Sequence, residues 1–251
     1  MSGLSPLKKN DKVAIIATAK RIEFELEIAL ETIRGWGLEA VLGKHTLESN
    51  GYFAGTDAQK LEDLDWAMND PEIKGIIFLR GGYGTTRILD RFKEICAVNS
   101  VKWMVGYSDL TSLIFQLHRL GIPMVHGPMC STLGKNNSSD DVLKALLFGQ
   151  KNFDFSIIPN ELTVGSEIEG SIIGGNLSLI YESIGAENEV SFDGKILFLE
   201  ELGEEMYALD RMMNKLKRIG ALDNLSGLIL GSFSNIGNRH NYFQESPEEL
   251  I

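Results

Sequence analysis

The residues best suited to chemistry stand in a turn after an apolar run that is typical of a strand. The run is Lys102–Gly106, and the turn continues Gly106-Tyr107-Ser108-Asp109-Leu110-Thr111. A serine at a strand-to-helix junction presents its hydroxyl at the carboxyl end of the sheet, and the N–H groups after it open a helix whose positive end stabilises an oxyanion. Gly106 removes a side chain that would crowd the bend, although Leu110 replaces the second small residue of such elbows. The pattern indicates a nucleophilic Ser108, with a serine that merely caps the helix as the alternative.

A second turn, Arg80-Gly81-Gly82-Tyr83-Gly84, follows the apolar run Lys74–Leu79. Its three glycines allow the backbone to approach a ligand closely and expose unpaired N–H groups. A tight connection between a strand and a helix is the simpler interpretation, since the turn lacks the spacing of a dinucleotide fingerprint or a P-loop.

A nucleophilic serine needs a base and a carboxylate that orients the base. Glu200 and Glu201 end the apolar run Ile196–Leu199, where an orienting carboxylate would fit, although most acids at strand ends are simply solvated. None of the histidines stands out as the base, because two lie in loops, one lies in mid-helix and one follows a buried strand. They are His45, His240, His118 and His126 respectively.

Cys96 and Cys130 match no CxxC or zinc spacing, so we expect both to be reduced and packed, with no metal site. A thiol nucleophile at Cys130 with His126 nearby is the functional alternative.

Composition excludes several classes of protein. The 251 residues carry a formal net charge of -11, which disfavours a nucleic-acid binder. Apolar runs are too short to span a bilayer, and the segment Met1–Lys12 shows no signal peptide. We expect a cytoplasmic protein that needs no membrane and is long enough for two domains.

The first half alternates strands and helices, which predicts a parallel sheet covered on both faces. The predicted strands are Lys12–Ala17, Leu38–Leu42, Lys74–Leu79, Lys102–Gly106 and Ile122–His126, and the predicted helices are Ile22–Trp36, Thr56–Asn69, Thr85–Phe92 and Leu110–Leu120.

The regular alternation of strands and helices ends after residue 135. We expect a domain over residues 1–135, a linker over 136–164 and a smaller α/β domain over 165–251. The linker holds a polar loop, a short helix and an extended stretch, and the second domain holds two strands and one clear helix. The polar loop is Gly134–Asp141, the short helix is Asp141–Phe148 and the extended stretch is Asn152–Val164. In the second domain, the two strands are Ile196–Leu199 and Gly227–Leu230, and the helix is Tyr207–Ile219.

Taken together, the motifs are more specific than any one of them. In chain order they are Phe53-Ala-Gly-Thr-Asp57, Arg-Gly-Gly-Tyr-Gly (80–84), Gly-Tyr-Ser-Asp-Leu-Thr (106–111), His-Gly-Pro-Met (126–129), Gly-Gly-Asn-Leu (174–177) and Phe-Leu-Glu-Glu…Tyr-Ala-Leu-Asp-Arg-Met (198–212). From about residue 5 to residue 237 the chain resembles the serine LD-carboxypeptidase family, which includes muramoyl-tetrapeptide carboxypeptidases and hydrolases that inactivate microcin-type peptide antibiotics.

The resemblance implies an amide hydrolase with a Ser–His–Glu triad and no metal or cofactor. By position in the motifs, Ser108 is the expected nucleophile and Glu200 the expected triad acid. The expected oxyanion donors are the N–H of Asp109 and the Gly81–Gly82 turn. The implied fold is a Rossmann- or flavodoxin-like N-terminal domain plus a smaller β-rich α/β C-terminal domain, with the active site between them, in a homodimer.

The chain departs from the family in its histidine. The family's histidine lies in a Gly-His segment well after the stretch that matches Gly231–Gly237, and no such segment precedes Ile251. His240 stands too early and in the wrong context. We therefore expect a member that lacks its C-terminal portion, in which Ser108 has no general base and most of the rate is lost.

Three functional hypotheses follow. The first is release of the terminal D-Ala from peptidoglycan-derived tetrapeptides, the second is hydrolysis of peptidyl-nucleotide antibiotics, and the third is a muropeptide-binding module without activity. A class-I glutaminase would need a cysteine at position 108. A carboxypeptidase also needs a cation for the substrate carboxylate, a role that the sequence leaves open between a site and ordinary surface ion pairs for Arg80 and Arg87.

Overall fold

A computed structural model describes residues 4–95, 101–154, 161, 163–164, 167–239 and 242–251. The chain divides into two compact units, Met1–Phe153 and Asp154–Ile251. Among the described residues, no helix combines the length and the apolar character that a bilayer span requires.

The first unit is built on a five-stranded sheet in the order β2-β1-β3-β4-β5, with every neighbouring pair parallel. Its strands are β1 Lys12–Ile16, β2 Glu39–Leu42, β3 Ile73–Phe78, β4 Trp103–Gly106 and β5 Val125–His126. This order is that of flavodoxin-like sheets, which bind ligands at the carboxyl ends of their strands. The predicted parallel sheet is confirmed.

Helices cover both faces of this sheet. They are α1 Glu27–Gly35, α2 Asp57–Asn69, α3 Leu89–Ile95, α4 Thr111–Arg119 and α5 Asn137–Leu147. Ala14 and Ile16 of β1 pack in a core with side chains of α2, α3 and α4. Val13 and Ile15, whose side chains point to the opposite face, pack in a second core with side chains of α1 and α5.

The helix predicted over Ile22–Trp36 begins only at Glu27. The preceding segment is held in another conformation, because Lys20 forms a β-bridge with Phe53 and the N–H of Arg21 donates to the carbonyl of Tyr52 at 3.0 Å. Residues 20 and 21 are therefore held beside the loop around Phe53 instead of lying along a helix.

Other predicted bounds also shift. The strand predicted over Ile122–His126 is reduced to the two residues of β5 that pair with β4. The helices predicted over Thr85–Phe92 and Leu110–Leu120 each begin with a 3-10 turn, Thr86–Ile88 and Ser108–Leu110.

Helix α5 starts before the predicted Asp141 because the side chain of Asn136 accepts a hydrogen bond from the N–H of Ser139 and caps it. Leu143 and Leu147 pack in the same core as Ile15 and Ile33. The first part of the predicted linker 136–164 thus belongs to the first unit, and part of Asn152–Val164 lies outside the described residues.

The second unit contains a three-stranded parallel sheet in the order β6-β7-β8. Its strands are β6 Ile172–Asn176, β7 Ile196–Leu202 and β8 Gly227–Ser234, and its helices are α6 Leu177–Ser183, α7 Met206–Arg218 and α8 Pro247–Leu250. The sequence analysis predicts β7, β8 and α7 but has no counterpart for β6, α6 or α8. The glycines in β6 weaken the signal of a strand, because glycine packs no side chain there.

Gly174 in β6 lies directly against β7. It pairs with Phe198, and a Cβ on Gly174 would lie 1.9 Å from the Phe198 carbonyl oxygen. Its φ of +147° is also unfavourable for any residue with a side chain. The Gly-Gly-Asn-Leu motif therefore begins with a glycine that the sheet needs for its close packing.

We expect Gly174→Ala to lower the free energy of unfolding by roughly 3 kcal/mol or more, because a steric overlap adds to a strained backbone. Gly194→Ala is the matched control, since its φ is +66° and no described atom lies within 4 Å of the new Cβ. The control should lose about 1–2 kcal/mol from its left-handed conformation alone. Urea unfolding of both variants measures the difference, and equal losses would contradict the packing role of Gly174.

Candidate active site

The backbone turns sharply at Ser108. Strand β4 ends at Gly106, Tyr107 is extended, and Ser108 has a φ of +60°. Within the described part of the chain, the other non-glycine residues with positive φ are Asn10 and Asn235, a residue type that tolerates this conformation. A serine held there at a cost of about 1–3 kcal/mol is typical of a functional elbow rather than an ordinary helix cap.

Both predicted turns meet at this bend. A Cβ placed on Gly81 would lie 3.1 Å from Ser108 Oγ and 3.4 Å from Met129 Cε. The absence of a side chain at position 81 therefore lets the glycine turn run directly against the serine hydroxyl. The structure brings together Ser108 and Gly81, which the sequence analysis selected from separate segments.

Gly106 is required by the tightness of the same bend. A Cβ at this position would lie 2.9 Å from Leu110 Cγ and 3.2 Å from Met124 Cε. Leu110, which departs from the usual elbow pattern, is buried and fills the space that Gly106 leaves. The partial match in sequence is therefore compatible with a compact turn.

Asp109 connects the two turns through its side chain. The buried carboxylate accepts a hydrogen bond from the N–H of Thr85 at 2.9 Å, directly after the glycine turn. Burial raises the pKa of Asp109, and the hydrogen bonds from the Thr85 side chain and backbone act in the opposite direction. The Thr85 hydroxyl also lies 2.8 Å from the hydroxyl of Thr18, just after β1. The ends of β1, β3 and β4 are thus joined by polar contacts.

Lys60 is buried beneath the glycine turn, and the sequence analysis did not identify it. Lys60 Nζ lies 3.2 Å from Asp57 Oδ1 and 4.5 Å from the centroid of the Phe53 ring. A Cβ on Gly84 would lie 3.1 Å from this ammonium nitrogen. Burial lowers the pKa of Lys60, while Asp57 acts to raise it. Lys60 lies one turn after Asp57 and one turn before the buried Leu64 on α2, and this spacing is the signal that could have revealed it.

The two arginines considered for substrate binding have different surroundings. Arg87 forms a two-pronged ion pair with Asp57, with Nε and Nη2 at 3.0 and 2.7 Å from its two oxygens. Arg80 lies 3.4 Å from Glu23 Oε2 and donates to the carbonyl of Gly81 at 3.3 Å. Arg87 is therefore committed to a structural partner, whereas Arg80 stays beside the turn that contacts Ser108.

The cysteine alternative is not supported. Cys130 is buried, and this burial raises the pKa of its thiol to about 12, so that the thiolate is scarce at neutral pH. His126 lies on β5 opposite Gly106, with its ring 5.8 Å from that of Tyr107. Cys96 lies outside the described residues.

The remaining histidines have separate surroundings. His45 lies 2.9 Å from a carboxylate oxygen of Glu62, and His118 is exposed in the last turn of α4. His240 lies outside the described residues. Within the described ranges, no group of three or more His, Cys, Asp or Glu side chains is arranged to hold a metal ion.

In the second unit, the neighbouring carboxylates of β7 have different roles. Glu201 is buried and accepts hydrogen bonds from Asn176 Nδ2 at 2.7 Å and from the N–H and hydroxyl of Ser178 at 2.8 and 2.6 Å. It therefore stabilises the start of α6. Glu200 is half-buried and pairs in register with Asn176. Burial first, and the charge of Glu201 second, raise the pKa of Glu200 to about 7.

The comparisons with known proteins cover both units. Residues 13–127 match the LD-carboxypeptidase N-terminal domain, and residues 169–251 match the LD-carboxypeptidase C-terminal domain. The chain belongs to the LD-carboxypeptidase family. The resemblance drawn from the motifs is therefore confirmed, and with it a serine-type carboxypeptidase by family.

Relatives within the LD-carboxypeptidase family extend beyond this chain in length. A "probable murein peptide carboxypeptidase" of Bacillus subtilis is 36% identical, and the alignment covers 91% of this chain and 74% of that protein. The murein tetrapeptide carboxypeptidase of Pseudomonas aeruginosa is 32% identical, with 89% and 77% covered.

Solved structures show the same fold. The muramoyltetrapeptide carboxypeptidase of Oxalobacter formigenes has a TM-score of 0.84 at 25% identity, over 95% of this chain and 82% of that one. MccF in complex with glutamyl sulfamoyl guanosine has a TM-score of 0.85 at 18% identity, over 98% and 84%. The predicted α/β fold class is confirmed, while the roles of Ser108, Glu200, Asp109, Gly81 and Gly82 stay predictions.

The raised pKa of Glu200 makes stability depend on pH. Between pH 4.5 and about 7 the folded chain retains a proton that the unfolded chain has lost, so the free energy of unfolding falls as pH rises through this window. We expect Glu200→Gln to reduce this fall and to be more stable than wild type above the window. Urea unfolding from about pH 5 to pH 8 measures it, with the exposed Glu169→Gln as control. Parallel pH profiles of all three proteins would contradict the prediction.

Proposed function

We propose that this chain is a serine carboxypeptidase that hydrolyses the L,D-peptide bond and releases the terminal D-Ala of peptidoglycan-derived tetrapeptides. The observation that carries the proposal is the strained Ser108, whose Oγ adjoins the glycine turn at Gly81. The names of the relatives from Bacillus subtilis and Pseudomonas aeruginosa support a murein peptide as the substrate class.

In the proposed reaction, Ser108 Oγ attacks the carbonyl carbon of the scissile bond and gives up its proton to a general base. The tetrahedral intermediate carries an oxyanion, which accepts hydrogen bonds from the N–H of Asp109 and from the Gly81–Gly82 turn. Collapse breaks the C–N bond, the D-Ala amine leaves with a proton, and an acyl-enzyme remains. Water then attacks the ester and regenerates the serine.

Glu200 is the proposed triad acid, which orients an imidazole and stabilises its cationic form. Its half-buried position beside Asn176 supports this role better than that of Glu201, whose two oxygens are already occupied. An imidazolium beside Glu200 would counteract the burial and the like charge that raise its pKa. The family pattern supplies that histidine from a Gly-His segment, and we assign it to no described residue.

The remaining expectations stand as parts of the same proposal. We carry forward from the family a cytoplasmic homodimer, with the nucleophile in a domain over residues 1–135 and the triad acid in a domain over 165–251. Hydrolysis of peptidyl nucleotides has less support, since the MccF likeness at 18% identity concerns the fold alone.

In a form of the protein that carries the family's Gly-His segment, we expect Ser108→Ala to lower the release of D-Ala from a muramoyl tetrapeptide by roughly 10³-fold or more, because the nucleophile is lost. Wild type should also be labelled at Ser108 by a serine-directed phosphonate, as mass spectrometry of the peptides would show. Ser138→Ala, an exposed serine of α5, is the control and should retain both properties.

Three outcomes would contradict parts of the proposal. Tight tetrapeptide binding without labelling of Ser108 would indicate a binding module. Faster cleavage of a peptidyl nucleotide than of the tetrapeptide would indicate the second hydrolase hypothesis. Unchanged D-Ala release by Ser108→Ala would exclude Ser108 as nucleophile.

A second prediction concerns the glycine turn. Gly81→Ala places a methyl group about 3.1 Å from Ser108 Oγ, so we expect it to displace the hydroxyl from its donors. The rate of phosphonate labelling and kcat should fall by about 10²-fold, as when an oxyanion donor is lost, with a smaller change in KM. Gly35→Ala at the end of α1, where no described atom lies within 4 Å, is the control. A labelling rate equal to that of the control would exclude a role for this close contact.

A further inference from the structure

Three basic side chains converge on one carboxylate beside the glycine turn. Glu23 Oε2 lies 2.5 Å from Lys20 Nζ and 3.4 Å from Arg80 Nη1, and Glu23 Oε1 lies 3.7 Å from Arg21 Nε. We call these three cations the basic cluster. One carboxylate balances only one of three positive charges, so the cluster keeps a local excess of two on a chain whose formal net charge is -11.

The basic cluster adjoins the same turn that contacts Ser108. A Cβ on Gly82 would lie 2.8 Å from Lys20 Cβ and 2.9 Å from Tyr52 Oη. Arg80 and Gly82 flank Gly81, whose Cβ position lies 3.1 Å from Ser108 Oγ. In a substrate, the terminal carboxylate is separated from the scissile carbonyl carbon by only the nitrogen and the Cα of the last residue. A site for that carboxylate must therefore be close to the nucleophile.

Backbone contacts hold the cluster in place. Arg80 Nη1 donates to the carbonyl of Arg21 at 3.4 Å, and the N–H of Arg21 donates to the carbonyl of Tyr52 at 3.0 Å. Lys20 Nζ also lies 5.5 Å from the centroid of the Tyr52 ring. Lys20 and Arg80 expose 26% and 23% of their side chains, so solvent and ligands reach them. Because these side chains are already held in place before a ligand binds, the entropy cost of binding an anion is smaller.

We propose that the basic cluster binds the free carboxylate at the C-terminus of the substrate, and that Glu23 is a resident carboxylate which the substrate displaces. This inference rests on the proposed carboxypeptidase function and adds its requirement for a free terminal carboxylate. The convergence of three cations on Glu23 demonstrates that the geometry accepts a carboxylate. Arg87 does not serve this role, because both of its prongs contact Asp57.

The experiment compares two ligands that differ only at the terminus. A muramoyl tetrapeptide with a free carboxylate and the same peptide as its C-terminal amide are titrated calorimetrically into the full chain carrying Ser108→Ala, so that neither is consumed. The variants are Lys20→Met, Arg80→Met and Glu23→Gln on that background. Lys12→Met is the matched control, since Lys12 forms an exposed ion pair with Glu72 at 2.5 Å at the start of β1, the opposite end of the strand.

We expect the chain to bind the free acid at least about 10-fold more tightly than the amide, as for a charge-assisted contact. Lys20→Met and Arg80→Met should each lower the affinity for the free acid by about 10-fold and leave the affinity for the amide unchanged. Glu23→Gln should raise the affinity for the free acid by roughly 3- to 10-fold, because a competing carboxylate is removed. If Glu23 had only a structural role, its replacement would not raise this affinity. Lys12→Met should change the affinity for neither ligand.

Equal affinity for acid and amide, or a Glu23→Gln variant that weakens the free acid, would overturn the inference. D-Ala release and phosphonate labelling are measured in parallel on a form of the protein that carries both Ser108 and the family's Gly-His segment. Activity without a preference for the acid overturns the carboxylate site and leaves the proposed function. A preference for the acid without D-Ala release or labelling supports the carboxylate site and overturns the proposed function.

Discussion

The close approach of the Gly81 backbone to the Ser108 hydroxyl is the constraint on which the candidate site depends. It exists because β3 and β4 are parallel neighbours, with Ile77 opposite Val105, so that the turns after both strands emerge at the same edge. Any side chain at position 81 would enter the space of Ser108 Oγ. A strained serine and a glycine turn, each weak evidence alone, form one candidate site through this contact.

Buried polar contacts hold the two turns in this geometry. Asp109 receives the N–H of Thr85, Thr85 contacts Thr18, and the ammonium of Lys60 lies under Gly84. These groups are buried, and buried polar groups are costly unless they are hydrogen-bonded or paired. The first unit therefore uses part of its stability to hold the turns rather than to fill a core. The side chain of Asp109 has this structural role while its backbone N–H is a proposed oxyanion donor.

Charge is divided among neighbouring residues in a comparable way. Glu201 is occupied with the start of α6, which leaves Glu200 with a raised pKa and half-buried beside it. Arg87 is committed to Asp57, whereas Arg80 adjoins the turn with Lys20 and Arg21 around Glu23. In each case, residues of the same type lie close in the chain, and their contacts distinguish a residue with a structural role from the one that we propose for the site.

The sequence by itself determined the parallel sheet of the first unit, the position of the serine bend and the family, because apolar runs, capping residues such as Thr56 and the order of motifs are local properties. It did not reveal β6, whose glycines serve contact with β7, nor the late start of α1, which depends on pairing with Phe53. Only the tertiary structure decided which side chains meet. Lys60 meets Gly84, and Arg80 meets Glu23, from segments far apart in the chain, and burial and charge pairing arise only when folding brings those segments together.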